Sequence, residues 1–394
     1  MTAPRRPPAT WWLCGAGVAS LLAAVAAAPG AARAAAAQDW PPFVLVSGLL
    51  LVGLVAQEDG LFAAAGHALA RLARNGVVLY AGAAVLVVAV TTLLNLDTAV
   101  TFLTPVLVYT ARSRGERRAP LVYACLLLAN AGSLMLPGSN LTNLIVLGHL
   151  HLSGGAFFRH MALPALAAAT VTAVVVGVVD HRALRTTVSP RDDAEHSTFG
   201  LGLVAVVVVT VLVVVLRAPA AALAVAAVGV LACALRVRTG RHADAETATR
   251  PDGPALARRA VAFLGLPVLA GLFGLAVALG TLGRTWDGPA TLLSHLDAWG
   301  TAVVAALTSV LVNNLPAASL LAARQPPHPY SLLVGLNVGP NLFVSGSLAW
   351  VLWLRAARAA GEDPRIGRAS LLGVASAPLA VAAAIGVLLA EGLH

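Results

Sequence analysis

VVLYAGAAVLVVAVTTLLNLDTAVTFLTPVLVYT, residues 77–110, decides the fold. Two apolar arms, 77–94 and 99–110, flank the polar tetrad Asn95-Leu96-Asp97-Thr98. No other acid occurs between Asp59 and Glu116. A carboxylate in hydrocarbon costs about 2.5–3.5 kcal/mol on insertion scales, so such a residue marks a functional site. Two apolar arms around a polar tip predict a helical hairpin that enters the bilayer and returns. Far downstream, Asn313-Asn314-Leu315-Pro316 interrupts a second apolar stretch in the same way, with 302–312 leading in and 317–323 leading out. The two tips are expected to face one another across a transport site.

Composition supports a membrane setting for both. The chain of 394 residues is 59% hydrophobic and 11% charged, with mean hydropathy +0.84. A soluble domain carries about 25% charged residues. Several apolar runs reach the ~20 residues that span a bilayer, so the expected class is an all-α polytopic membrane protein. The net charge of +9 does not indicate nucleic-acid binding: every basic residue is Arg, and the arginines sit between apolar runs, where they set topology. The Arg- and Ala-rich composition suggests a bacterial plasma membrane protein. Cys14, Cys125 and Cys233 are isolated in apolar runs without CxxC spacing, as small buried hydrophobes are.

Taken in order, 11–28 reads as a first transmembrane helix rather than a signal peptide, which leaves the N-terminus with Arg5 and Arg6 in the cytoplasm. Trp40-Pro41-Pro42 is expected to mark the re-entry, and 43–57 a second helix. Residues 58–75 carry His67, Arg71 and Arg74 among Ala and Leu, the pattern of an interfacial amphipathic helix. The first hairpin, 77–112, stands on Arg112, Arg114, Arg117 and Arg118. A long apolar segment, 121–150, is broken at Pro137-Gly138-Ser139-Asn140; proline removes a backbone donor there. In a membrane such a break survives only where protein or a water-lined cavity satisfies the freed groups. Residues 161–179 cross back, and 181–198 form a polar cytoplasmic linker. Residues 200–216 and 220–235 pair across a short turn, and a basic loop, 236–259, follows. Residues 260–280 go out to a short external loop, 281–287. The second hairpin, 289–324, precedes a second broken helix, 331–354, interrupted at Asn337-Val338-Gly339-Pro340-Asn341; 369–389 is the last helix. All arginines but Arg33, Arg159, Arg217, Arg284 and Arg324 then fall on the cytoplasmic side, as the positive-inside rule requires.

The halves echo each other. In 1–180 a hairpin tip precedes a broken helix holding Asn130-x-Gly132 and Gly138-Ser139. In 199–394 a tip precedes Asn337-x-Gly339 and Gly346-Ser347. Run in opposite senses, these are two inverted repeats, each with a re-entrant hairpin and a discontinuous helix, the plan of many secondary transporters. Ends of broken helices expose N–H and C=O groups, and the N-terminal ends favour oxygen ligands. Candidate substrate-binding residues are Asn95 and Thr98 at the first tip and Asn130, Ser133, Ser139, Asn140, Thr142 and Asn143 at the first break. Asn313 and Asn314 at the second tip, with Asn337, Asn341, Ser345 and Ser347 at the second break, complete the set. Each single Ser or Thr has a structural alternative, a bond back to its own helix carbonyl or small-residue packing. Asp97 is a candidate proton carrier or cation ligand, with helix capping as its structural alternative. His67, His149, His151 and His160 lie at segment ends and read as interfacial. No metal-ligand spacing, catalytic triad or phosphate loop is present, so neither an enzyme nor a cofactor is expected.

The runs NLDTAVTFLTP (95–105), SNLTN (139–143), SVLVNNLPA (309–317) and GPNLFVSGSLAWVLWL (339–354) resemble the arsenical (arsenite/antimonite) efflux permeases, ArsB-like, of the ion transporter superfamily. The resemblance implies elevator-type alternating access and export of arsenite or antimonite in exchange for protons, with Asp97 carrying the proton. The second tip has no acid beside Asn313-Asn314, so coupling would fall on Asp97 alone. Arsenite is an uncharged hydroxide at neutral pH, which suits Asn, Ser and Thr. A sodium-coupled importer of a dicarboxylate, sulfate or another small anion, or a Na+/H+ antiporter, is the alternative on the same fold. Expected partners are a small inorganic substrate, protons or Na+ and the lipid bilayer, but no nucleic acid. A separate ATPase subunit and a homodimer are further options.

Overall fold

In a computed structural model the described residues are 9–113, 119–148, 152–184, 200–216, 218–243 and 253–393; among them the fold is all-helical, without strands. His149, His151, Arg114, Arg117, Arg118, Arg217 and most of the expected linker lie outside these residues. Among the described residues five stretches are long and apolar enough to cross a bilayer: Pro29–Glu58, Gly76–Leu93, Gly154–Val179, Arg258–Thr285 and Ile366–Ala390. Large apolar side chains such as Val85, Leu163, Val204, Leu311 and Leu371 point outward, as they do where the surroundings are lipid rather than water.

The first half begins with α1 (Ala9–Ala27) and α2 (Pro29–Glu58), followed by the short α3 (Leu61–Leu72). The expected external turn at Trp40-Pro41-Pro42 is absent. Both prolines lie inside α2 and are buried. The chain instead reverses around Ala28, where Pro29 opens α2 with the fixed φ suited to a first helical turn. An Ala-rich stretch then carries the helix through the proline pair, a cost of roughly 3 kcal/mol for each interior proline in water, which membrane helices tolerate when neighbours satisfy the freed groups. The first hairpin is α4 (Gly76–Leu93) and α5 (Leu96–Ser113), and the first broken helix is α6 (Ala119–Gly132) and α7 (Leu141–Leu147) around a 3₁₀ turn, Pro137–Ser139. Helices α8 (Gly154–Val179) and α9 (His181–Leu184) follow.

The second half opens with α10 (Leu201–Val215) and α11 (Ala218–Ala243). The described residues of the expected basic loop, 236–243 and 253–259, are helical: α11 continues past Leu235, and α12 (Gly253–Leu264) precedes α13 (Leu266–Thr285). Loss of hydrophobicity at Arg236 marks where apolar character ends, not where helix does. What ends α12 is Gly265, at φ +57, with Pro267 in the first turn of α13. Helix α13 likewise absorbs most of the expected external loop. The second hairpin is α14 (Gly288–Ser294), α15 (Ala298–Val312) and α16 (Asn314–Leu321). The second broken helix is α17 (Pro329–Val338) and α18 (Leu348–Ala359) around the 3₁₀ turn Gly339–Leu342, and α19 (Ile366–Ala390) closes the chain. Helices α7 and α16, seven and eight residues long, reach only about 10–12 Å, well short of a ~30 Å hydrocarbon core.

Exchange of the two halves maps the packing onto itself. The first hairpin packs on α6 as α15 and α16 pack on α17; α5 meets α18 as α16 meets α7. Helices α8 and α19 pack on their own broken helices and on each other, while α1 lies on α13 as α11 lies on α2. Both of the last crossings are made through glycine. An added Cβ on Gly17 would sit 2.1 Å from the Gly271 carbonyl oxygen, and one on Gly48 would sit 2.7 Å from the Ala226 backbone. Small residues let membrane helices approach backbone to backbone, where dispersion contacts hold them.

Candidate functional site

At the first tip Asn95 caps α5: its Oδ1 accepts the Thr98 amide at 2.7 Å and its carbonyl accepts the Ala99 amide at 3.0 Å. That leaves three buried polar atoms without a partner among the described residues: Asn95 Nδ2, Asp97 Oδ1 and Thr98 Oγ1. Native interiors satisfy most such groups, so three within residues 95–98 set this tip apart from the rest of the hairpin. At the second tip Asn313 adopts φ +76, the only non-glycine residue with positive φ among the described residues. Its side chain caps α16 by accepting the Leu315 amide at 3.3 Å, and Pro316 sits in the first turn, where its missing N–H costs nothing. The tip is tied to the second break by Asn314 N–H donating to Gly346 O at 2.8 Å.

The two breaks are bound to one another through a buried amide network. Asn337 Oδ1 accepts from Asn140 Nδ2 at 2.6 Å, Ser133 Oγ at 2.8 Å and Thr142 Oγ1 at 3.4 Å. Its Nδ2 donates to Asn143 Oδ1 at 3.0 Å and to its own helix at Leu333 O, 2.9 Å. Asn130 Nδ2 donates to Asn341 Oδ1 at 2.9 Å, and Asn341 Nδ2 donates back to Leu127 O at 3.0 Å. The carbonyls freed at the first break are taken up by Asn143 Nδ2, which reaches Ser133 O at 2.7 Å and Leu136 O at 3.0 Å. Ser139 Oγ bridges the Leu136 amide and Thr92 O. At the second break Trp350 Nε1 donates to Pro340 O at 2.7 Å. Neighbouring protein thus satisfies what each break releases, the condition for irregular backbone at membrane depth.

In front of this network lies a cavity of about 20 Å³, room for roughly one water. Four helices begin at its wall: α5 with Leu96 and Asp97, α7 with Asn140 and Leu141, α16 with Asn313, Asn314 and Leu315, and α18 with Ser347 and Leu348. The rest of the wall is apolar, from Phe43 on α2 and Leu269 and Leu272 on α13. Among the described residues no Arg, Lys or His lines it. Of the residues expected at the site, Asp97, Asn140, Asn313, Asn314 and Ser347 therefore meet around one space. Asn95 and Thr98, buried on either side of Leu96 and Asp97, do not line it; Thr98 packs toward Gly53 of α2. Asn130, Ser133, Ser139, Thr142, Asn143, Asn337 and Asn341 are buried in or beside the network, and Ser345 is exposed, with its hydroxyl donating to Val310 O at 2.6 Å. Elsewhere, His67 is exposed and His160 Nδ1 is 3.0 Å from the Tyr330 hydroxyl. The three cysteines are free, on α1, α6 and α11.

Two features of this region do not follow from the sequence. Phe43, Leu269 and Leu272 carry no signal that separates a site wall from any other apolar position. Asp39 does carry one, an acid beside long apolar runs, but the external turn expected next to it does not exist. It is buried on α2.

No curated protein matches the sequence. Among solved structures, the crystal structure of the Alcanivorax borkumensis YdaH transporter is similar in fold, with TM-score 0.56 and 14% identity over 92% of this chain and 88% of that one. The family model described as citrate transporter matches residues 9–335. An integral membrane protein with tips, breaks and a shared cavity built in this way is a transporter and not an enzyme, and the chain belongs to the CitMHS citrate transporter family.

Proposed function

We propose that the chain is a proton-coupled secondary transporter of a small oxyanion, with carboxylates of the citrate kind as first candidates. The observation that carries this is the convergence of four helix N-termini on the cavity that Asp97 shares. Helices α5, α16 and α18 each present the positive end of a backbone dipole there, worth about 0.3–1 kcal/mol per favourable charge and more when partly buried. Amide groups on Asn313 and Asn314 supply orientation without a fixed cation, while the Asn140 amide is held by Asn337 and Ser133. An ionised Asp97 would repel an anion seated among these termini, so anion and proton enter together. That is coupling in its simplest form: one site, two ligands, each improving the other's affinity.

The halves act as inverted repeats, with the hairpins and broken helices moving as a body against α1, α2, α11 and α13, in elevator fashion. Phe43, Leu269 and Leu272 form the apolar wall past which the tips slide. A cavity the size of one water admits a carboxylate only after the tips and this wall separate. The distribution of arginines supports a cytoplasmic N-terminus. Arsenite, the substrate of the resembling permeases, is the second candidate. The cation-free, amide-rich wall favours it, because an uncharged hydroxide needs no counter-charge.

Proteoliposomes decide between them. Labelled citrate is expected to accumulate under a proton gradient, and Asp97→Asn to lose gradient-driven accumulation while the protein still inserts. Accumulation of arsenite but not citrate selects the second candidate, and undiminished proton-driven flux in Asp97→Asn removes that residue from coupling.

A further inference from the structure

Among the described residues two buried acids lie outside the transport site: Asp180, which pairs with Arg368, and Asp39, which has no ion pair. It lies on α2, 1% exposed, where α13 and α16 close over it. Its Oδ1 accepts from Ser319 Oγ on α16 at 3.1 Å, and its Oδ2 is buried with no partner among the described residues. Ser319 Oγ also lies 3.4 Å from Leu315 O, so a single hydroxyl proton has two acceptors to choose between. The seam around the pair is tight. A Cβ on Gly283 of α13 would meet Leu320 O at 2.5 Å, and one on Gly280 would meet the Ala35 side chain at 3.1 Å.

The charged groups that face Asp39 are few. Helix α13 contributes Arg284, which donates to Gly280 O at 2.9 Å and to Gln38 Oε1 rather than to the carboxylate. Gln38 Nε2 in turn reaches Ile145 O at 3.0 Å at the end of α7 and Ala322 O at 3.1 Å after α16. Helix α16 contributes Ser319 alone, α7 has no titratable residue, and Arg324 beyond α16 pairs with Asp287 and donates to Arg284 O. An ionised carboxylate with one oxygen unsatisfied and no ion pair is expensive in such a place.

We infer that Asp39 is a second proton-binding site, set in the seam where the second hairpin meets α2 and α13. When ionised, Asp39 draws the Ser319 proton toward itself and holds α16 to α2. When protonated, Asp39 is a weaker acceptor, Ser319 turns its hydroxyl proton back to Leu315 O, and the charge-assisted link across the seam is lost. A metal cation fits poorly. One carboxyl and one hydroxyl are too few oxygens, Arg284 repels it, and no cluster of three His, Cys, Asp or Glu exists among the described residues. That Asp39 takes part in moving substrate rests on the transport function proposed above; that it binds a proton does not.

The experiment is a pH titration of the purified protein in lipid by infrared difference spectroscopy without substrate, in an Asp97→Asn background so that the other buried carboxyl without an ion pair is silent; Asp180, also buried, is paired with Arg368. A protonated-carboxyl band is expected that Asp39→Asn abolishes and whose midpoint Ser319→Ala shifts, whereas Asp287→Asn, on an exposed residue, leaves it in place. A spectrum that Asp39→Asn leaves unchanged overturns the inference. Should Asp39→Asn fail to fold, the Ser319→Ala midpoint decides instead, because an unshifted midpoint excludes a proton shared across this seam. In proteoliposomes with intact Asp97, Asp39→Asn is expected to lose gradient-driven citrate uptake and keep counterflow exchange. Wild-type protein that moves neither citrate nor arsenite but retains the band refutes the substrates proposed above and leaves the Asp39 site standing.

Discussion

Asn337 shows how far one side chain is committed. Both its polar atoms are spent, on Ser133, Asn140, Thr142, Asn143 and its own helix, and it is wholly buried. A buried donor left without acceptor costs about 1–3 kcal/mol. Asn337→Ala removes the acceptor that Asn140 Nδ2 meets at 2.6 Å and leaves it only Ser133 Oγ at 3.3 Å, so detergent-solubilised protein is expected to lose about that much stability in thermal or denaturant unfolding. An unchanged unfolding midpoint would mean that water replaces the side chain. Asp97 is the opposite kind of residue, left by the fold with a carboxylate oxygen that has no partner among the described residues. The sequence marks both as costly polar groups in apolar surroundings, but it does not sort them. Cost in lipid is a property of the residue type, whereas satisfaction is a property of neighbours some 200 positions away, as between Asn130 and Asn341.

Among the elements, the breaks matter more than the spans. The second break is pressed against α19, where a Cβ on Gly373 would lie 1.7 Å from the Asn341 carbonyl oxygen. Nothing lies within 4 Å of the corresponding point on Gly386 of the same helix. Gly373→Ala is therefore expected to displace the 3₁₀ turn, with an overpacking cost of about 1–3 kcal/mol or more and at least tenfold lower transport, while Gly386→Ala leaves flux and stability within error. Equal flux in the two variants would show that the break tolerates movement. Element boundaries are legible wherever proline or glycine stands at a reversal, as at Pro137 and Pro340. They are not legible at Trp40-Pro41-Pro42 or at Arg236, because proline and loss of apolarity are also compatible with continuing helix when neighbouring elements pack against it.

For the whole molecule the consequence is a linkage between anion and proton. Citrate that binds among the helix N-termini raises the unfolding temperature by mass action, about 2.7 kcal/mol of stabilisation at a hundredfold excess over its Kd. If Asp97 must be protonated for the anion to enter, this stabilisation grows as pH falls, and grows less in Asp97→Asn. Citrate's own titration contributes equally to both proteins, so the difference between them isolates Asp97. Parallel pH profiles would sever the link. The same experiment with arsenite tests the second substrate, whose neutral form gives no such slope.

Apolar runs too long for any soluble protein, a lone acid between two of them and a matching pair of Asn-rich tips determine a polytopic helical protein with two related halves, because each is a local cost that only a membrane fold with internal partners can offset. Which of those polar groups face the cavity, which hold the breaks together, and that Asp39 lies buried in a seam instead of outside were decided by tertiary structure alone. Hydrogen bonds between distant segments and backbone contacts through Gly17, Gly283 and Gly373 depend on how helices meet, and the meeting of helices is not written in any one of them.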